Sequence, residues 1–154
     1  MSRREQIVMT TEEVGAFLLA ERVATVASMG PNGRPHLAPL WYVPEGTTLR
    51  TWTYGSSQKV ANLRRLPQAT VLVEAGDSYE ELRGVSMECD VEVVEDGERV
   101  AAIGSELTHR YTGSEEVAVA ASQFVRVQAV KRVGLVFTPT KVVSWDHRKL
   151  GGGY

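Results

Sequence analysis

The chain has 154 residues, 43% of them hydrophobic and 23% charged, with a formal net charge of −2, a balance that suits one soluble globular domain over residues 1–154. An isoelectric point of about 5.9 argues against a general nucleic-acid binder, which carries a basic excess. A single cysteine, Cys89, excludes an intrachain disulfide and a Cys-rich metal site, and no apolar run approaches the ~20 residues that cross a bilayer.

Residues 1–6 lack the apolar core of a signal segment, so the expected compartment is the cytoplasm, with no membrane partner. Thr10-Thr11-Glu12-Glu13 reads as a capping box that opens a helix, with Val14, Phe17 and Leu18 on one face. Residues 22–28 read as a strand, Gly30-Pro31-Asn32-Gly33 as a hairpin turn, and residues 34–43 as a second strand. Pro35 and Pro39 mark that strand as an edge, a bulge or a ligand-facing stretch. A turn at 44–46 leads to a third strand over 48–54, and Gly55-Ser56-Ser57 then opens a short helix over 58–66, stopped by Pro67.

Residues 69–74 are β-rich and 76–78 turn the chain. Val85, Met87, Cys89, Val91 and Val93 alternate with Ser86, Glu88, Asp90 and Glu92, the clearest period-two pattern and the mark of a long half-buried strand. A helix follows over 96–110, then a second after Gly113 carrying Val117, Ala121 and Phe124. Val133, Leu135 and Phe137 alternate in a late strand, Pro139-Thr140 breaks it, and residues 142–145 form a last short strand before a glycine-rich ending. Hairpin-joined antiparallel strands point to a mainly β, α+β barrel and away from a parallel doubly wound fold.

Two segments carry candidate chemistry. Around Ser56, Ser57 and Lys59 a strand gives way to a helix within three small residues, and free N–H groups at a helix start attract anions. Arg64 and Arg65 add planar donors, so the stretch reads either as a phosphate cradle or as an ordinary serine cap with solvated basic residues. Pro39-Leu40-Trp41-Tyr42 reads either as a flat apolar wall for a planar ring or as two aromatic residues packed on opposite sheet faces. His36, His109 and His147 have no metal-ligand spacing, so no metal site is expected. Cys89 lies on the apolar phase as an inert thiol, and Glu88, Asp90 and Glu92 form a solvated face. Lys131-Arg132 is either a solvated pair or reaches across a subunit interface toward an anion.

Taken together, Val23 to Ser28 with Pro31 to His36, Pro39 to Tyr42, Ser57 to Arg65, Leu82 to Val85 and Ser144 to Leu150 give the chain its resemblance to a known group. It resembles the pyridoxamine 5′-phosphate oxidase-like split-barrel superfamily, and within it the flavin/deazaflavin (F420)-dependent oxidoreductases. The resemblance implies a six-stranded antiparallel split β-barrel of the FMN-binding type with flanking helices, working as a homodimer with cofactor sites at the interface. It implies that the cofactor phosphate lies near Ser57, Gln58 and Lys59, with Asn62 and Arg64 close by. The ring would rest along Pro39, Leu40 and Trp41, with Thr51 and Thr53 on the adjacent strand. Lys131 and Arg132 would complete the site from the other subunit. The implied cofactor is the deazaflavin F420, with FMN as the alternative, and the implied reaction is hydride transfer to a small organic substrate. A non-catalytic cofactor-binding protein is the third reading. No catalytic side chain is assigned, and Tyr42 and His36 are proton-donor candidates by type and location alone.

Overall fold

The computed structural model describes residues 1–152, and the last two residues of the glycine-rich ending lie outside them. The chain forms α1 (Arg3–Gln6), α2 (Thr11–Ala20), β1 (Ala24–Met29), β2 (Pro35–Leu40), β3 (Val43–Glu45), β4 (Thr48–Tyr54), α3 (Gln58–Arg65), β5 (Gln68–Ala75), β6 (Arg83–Val94), α4 (Gly97–Thr112), α5 (Glu115–Ala120), α6 (Ser122–Ala129) and β7 (Arg132–Asp146). Short 3-10 turns occupy Tyr79–Glu81 and His147–Leu150.

Every strand pairs antiparallel in one sheet of order β2-β1-β5-β6-β7-β4-β3. The sheet curls into a half-barrel with flanking helices, the split-barrel fold expected, with seven strands in place of six. The extra strand arises because the predicted strand over 34–43 divides. Its ladder with β1 ends at Leu40, and after Trp41 and Tyr42 a separate three-residue strand pairs with the start of β4.

Alternation on the strands decides the core. The inward phase of β6 supplies Val85, Met87, Cys89 and Val91, which meet Leu18, Leu63, Val71 and Leu135 in one apolar cluster. Burying each such side chain stabilises by about 1.5–3 kcal/mol. The opposite phase of β6 carries Glu88, Asp90 and Glu92, all exposed, as the alternation predicts.

Three further expectations are corrected. Pro139 does not end the late strand. β7 runs on to Asp146 through a bulge opposite Glu88 and Cys89, past the point where its ladder with β4 stops at Phe137. A proline lacking its N–H is tolerated at such an edge or bulge. The helical stretch after Gly113 is two short helices, α5 and α6, and residues 3–6 form a capped first turn that the sequence reading leaves out.

Helix α4 lies over the outer face of β4, where Gly104 lets the backbone approach Trp52 closely. A Cβ on Gly104 would sit 2.3 Å from a ring carbon of Trp52. The ending pins the N-terminal segment: the Asp146 N–H donates to the Ile7 carbonyl (2.7 Å), and Lys149 pairs with Glu13 (2.6 Å).

Candidate functional site

Strand β4 is paired with β3 only over Thr48 to Arg50, so its second half has one free edge. Strand β2 is likewise an edge. The seam beside these edges is bridged by side chains instead of a backbone ladder. At one end the Thr51 hydroxyl donates to the Trp41 carbonyl (2.6 Å). Thr53, roughly 7 Å further along the same buried face, accepts from the Lys59 ammonium (3.0 Å). Thr51, Thr53 and Lys59 therefore line one continuous row.

The phosphate-cradle stretch has an uncommon local balance. Ser57 stands at the N-cap of α3 without making a cap bond, and its Oγ is buried with no partner among the described residues. Ser2, Thr10, Asp96 and Ser114 all cap their helices through the side chain. The first-turn amides of α3, at Gln58 and Lys59, have no acceptor within the helix. Lys59 is half-buried, and burial holds its ammonium below the usual lysine range. No carboxylate among the described residues lies within ion-pair distance of it. Donors and positive charge thus gather here with nothing anionic to meet them, an arrangement that suits a phosphate oxygen.

The neighbours implied by the resemblance separate into two groups. Asn62 is fully buried and spent on the fold: its Nδ2 donates to Ser28 Oγ (3.1 Å), and its Oδ1 accepts from Gln58 Nε2 (2.9 Å). It tethers α3 to β1 and leaves Gln58 exposed at the rim. Arg64 pairs with Glu95 (2.6 Å) and lies exposed. Arg65 donates to the Met29 carbonyl. Across the ladder from Ser28 sits His36, whose Nδ1 is buried without a partner among the described residues.

Lys131 and Arg132 are placed beside β4 of their own chain. The Gly55 N–H donates to the Lys131 carbonyl (3.0 Å), and Arg132 pairs across from Tyr54. The Arg132 guanidinium lies 4.2 Å from the Tyr54 ring centre and 4.6 Å from that of Trp52, on the sheet face opposite Thr53. Within one chain it does not converge with Lys59.

At the other end of the row Trp41 is 59% exposed, and Pro39 beside it is exposed as well. Trp41 and Leu40, with Thr51 and Trp52, line a cleft of about 330 Å³ completed by Leu107 and Tyr111 of α4. Tyr42 turns the other way. Its hydroxyl is within hydrogen-bond reach of the Leu18 (2.7 Å) and Glu21 (3.1 Å) carbonyls, and burial pushes its phenol well above the usual value. A buried, carbonyl-bound phenol is no proton donor to a ligand, so this candidate is withdrawn. A larger cleft of about 700 Å³ beyond α4 is lined by Val43, Arg50, His109 and Val119 among others and contains none of the residues implied for the cofactor site. Sequence reasoning missed Trp52, Leu107 and Tyr111, because α4 reads as an ordinary amphipathic helix until its docking against β4 is known.

The profile of the family described as pyridoxamine 5′-phosphate oxidase matches residues 10–146. The conserved hypothetical protein Rv2991 from Mycobacterium tuberculosis is 39% identical, with 100% of this chain and 95% of that one covered and a TM-score of 0.88. An F420 reductase is 24% identical over 82% of this chain and 93% of its own, with a TM-score of 0.64. A FAD-binding protein from Mesorhizobium loti is 17% identical over 89% and 94%, with a TM-score of 0.63. At those identities the last two share the fold alone. No curated protein matches the chain.

Proposed function

The chain belongs to the pyridoxamine 5′-phosphate oxidase family, and on that premise we propose that it is a coenzyme F420-dependent oxidoreductase acting on a small organic substrate. The observation that carries this reading is the half-buried Lys59 ammonium, without a carboxylate partner among the described residues, beside the uncapped start of α3 and the orphaned Ser57 hydroxyl. Those groups fit a phosphate oxygen, and the row through Thr53 and Thr51 leads from them to the apolar cleft at Leu40 and Trp41. A phosphate-bearing tricycle has that order of parts, a charged tail at one end and a flat ring at the other.

When bound, the reduced deazaflavin supplies the hydride. The chain's own residues do the remainder. Lys59, Ser57 and the α3 amides hold the charged tail, Leu40, Trp41 and Trp52 give the ring an apolar wall, and Thr51 fixes the Trp41 backbone. Arg132, on the opposite sheet face from Lys59, serves in this reading the ligand of a second subunit, together with Lys131 next to it in the chain. Exposed Leu37, Trp41 and Tyr54, on or next to the strands that border the seam, support a homodimer that covers them.

The test is a side-by-side fluorescence titration with F420 and FMN, followed by turnover with enone and quinone substrates. F420 binding with substrate reduction is the expected result. Tight FMN binding with no response to F420 moves the reading to an FMN enzyme, and binding of F420 without turnover moves it to a carrier.

A further inference from the structure

Tyr111 stands at the C-terminal turn of α4, far in sequence from Trp41 and the strands that border the seam. Its ring stacks on Trp41 with centroids 4.3 Å apart and planes 5° from parallel. Its hydroxyl accepts from the Tyr42 N–H (2.9 Å) and reaches the Arg22 carbonyl (2.5 Å). One phenol thus grips the backbone of the link between β2 and β3 and presses on the indole that the link presents.

The turn that carries Tyr111 is itself held from two sides. Arg110 donates to the Glu21 carbonyl (2.6 Å) at the end of α2, and Arg22 donates to the Arg110 carbonyl (2.8 Å) at the end of α4. Each arginine satisfies carbonyls that the other helix end leaves open, the favoured place for a cation. The guanidinium carbons of Arg22 and Arg110 lie 5.3 Å and 5.5 Å from the Tyr111 ring centre. This clamp leaves Tyr111 little freedom. The Trp41 indole has no such arginine clamp: the residue sits outside both strands and its side chain is largely exposed. With one face covered by Tyr111, its exposed remainder is the other face and the ring edge.

We propose that Tyr111 is a positioning residue that holds the Trp41 indole flat as a preset wall of the ring site, so that the site selects planar fused-ring ligands. This rests on the function proposed above. A wall fixed before binding spares the ligand the cost of ordering a free indole, and that saving is the gain from preorganisation. Tyr111 exerts this effect by holding Trp41 in place.

The experiment titrates wild type, Tyr111→Leu, Tyr111→Phe, Trp41→Leu and the Trp41→Leu/Tyr111→Leu double variant with two probes. These are F420 and 8-hydroxy-5-deazariboflavin, the same ring without phosphate. Tyr111→Leu is expected to weaken both probes by the same factor, about three- to tenfold, the range for losing one aromatic pair. Tyr111→Phe, which keeps the stacked ring, is expected to stay within about twofold of wild type. In the Trp41→Leu background the second substitution is expected to add nothing, as for two residues acting through one contact. Unchanged affinity in Tyr111→Leu, a loss confined to F420, a phenylalanine variant as weak as the leucine variant, or full additivity overturns the inference. Should the leucine variant not fold, Tyr111→Met carries the same comparison. Wild type that binds neither probe removes the proposed function along with this inference, whereas normal wild-type binding with any of the overturning results removes the inference alone.

Discussion

Replacing Lys59 with methionine keeps an unbranched apolar stem and removes the ammonium with its charge and donors. In the free protein two effects oppose each other. The half-buried ammonium no longer has to be desolvated, but the buried Thr53 hydroxyl loses its donor. The net change in unfolding free energy is expected to stay within about 1 kcal/mol, since a hydrogen bond contributes about that much. Binding has no such offset. A hydrogen bond to a charged group contributes about 1.5–3 kcal/mol, so F420 affinity is expected to fall roughly 10- to 150-fold. The ring-only probe, 8-hydroxy-5-deazariboflavin, is expected to bind both proteins alike. Because burial lowers the Lys59 pKa from its ordinary 10.5, the wild-type ammonium discharges at lower pH than a free lysine. Wild-type affinity for F420 should therefore decline as pH rises through that lowered value, while the methionine variant stays flat. Stability takes the opposite sign: the desolvation cost is present while the ammonium is charged, so the wild type gains stability as pH rises from the lowered value toward 10.5. Fluorescence titration across pH, with chemical denaturation alongside, measures all three quantities. Equal F420 affinity in wild type and Lys59→Met refutes the anion site and, with it, the reasoning from an unpartnered cation.

Other consequences are open to direct measurement. Gly104→Ala places a methyl group against the Trp52 ring, where a Cβ has only 2.3 Å. Overpacking of that kind costs about 1–3 kcal/mol, so the melting temperature should drop by roughly 2–12 °C, and an unchanged melting curve contradicts the close docking of α4. Burial, reinforced by the Asp90 charge, pushes the Cys89 thiol up to about 12, so a thiol reagent at pH 8 should react only after denaturant is added. Asp146 is held below the ordinary carboxyl range, first by its hydrogen bonds from the Arg148 side chain (2.6 and 2.9 Å). Its depressed folded value gives stability that is present above the unfolded pKa and lost as pH falls through the folded one. Arg148→Met should accordingly move the acid-unfolding midpoint to higher pH, and acid titration followed by circular dichroism reads the shift.

Much of this protein is written in local pattern. The period-two run from Val85 to Val93 specifies a strand with one wet and one dry face, whatever it pairs with, because alternate side chains point to opposite sides. The Thr10 and Glu13 capping box fixes the start of α2 in the same way, since both partners lie within one turn. The Ser57 to Lys59 junction is likewise legible as a helix start rich in donors. Other features depend on partners distant in sequence. Whether Ser57 caps its own helix or is left open, and whether Lys59 meets a carboxylate, is decided by what β4 and its neighbours bring beside them. Asn62 reads as a ligand contact until Ser28, 34 residues away, claims its amide. Arg132 reads either as a solvated charge or as an anion partner from a second subunit, and only the β4–β7 register sets it beside Tyr54 and Trp52, away from Lys59 of its own chain. Pro139 reads as a strand end because a sequence does not disclose that the neighbouring ladder has already stopped. The sequence by itself determined the elements and the chemical types at the site, because propensity, capping and alternation act within a few residues. The tertiary structure alone decided which polar groups are spent on the fold and which remain unpaired, because that depends on the sheet register and on where α4 comes to rest.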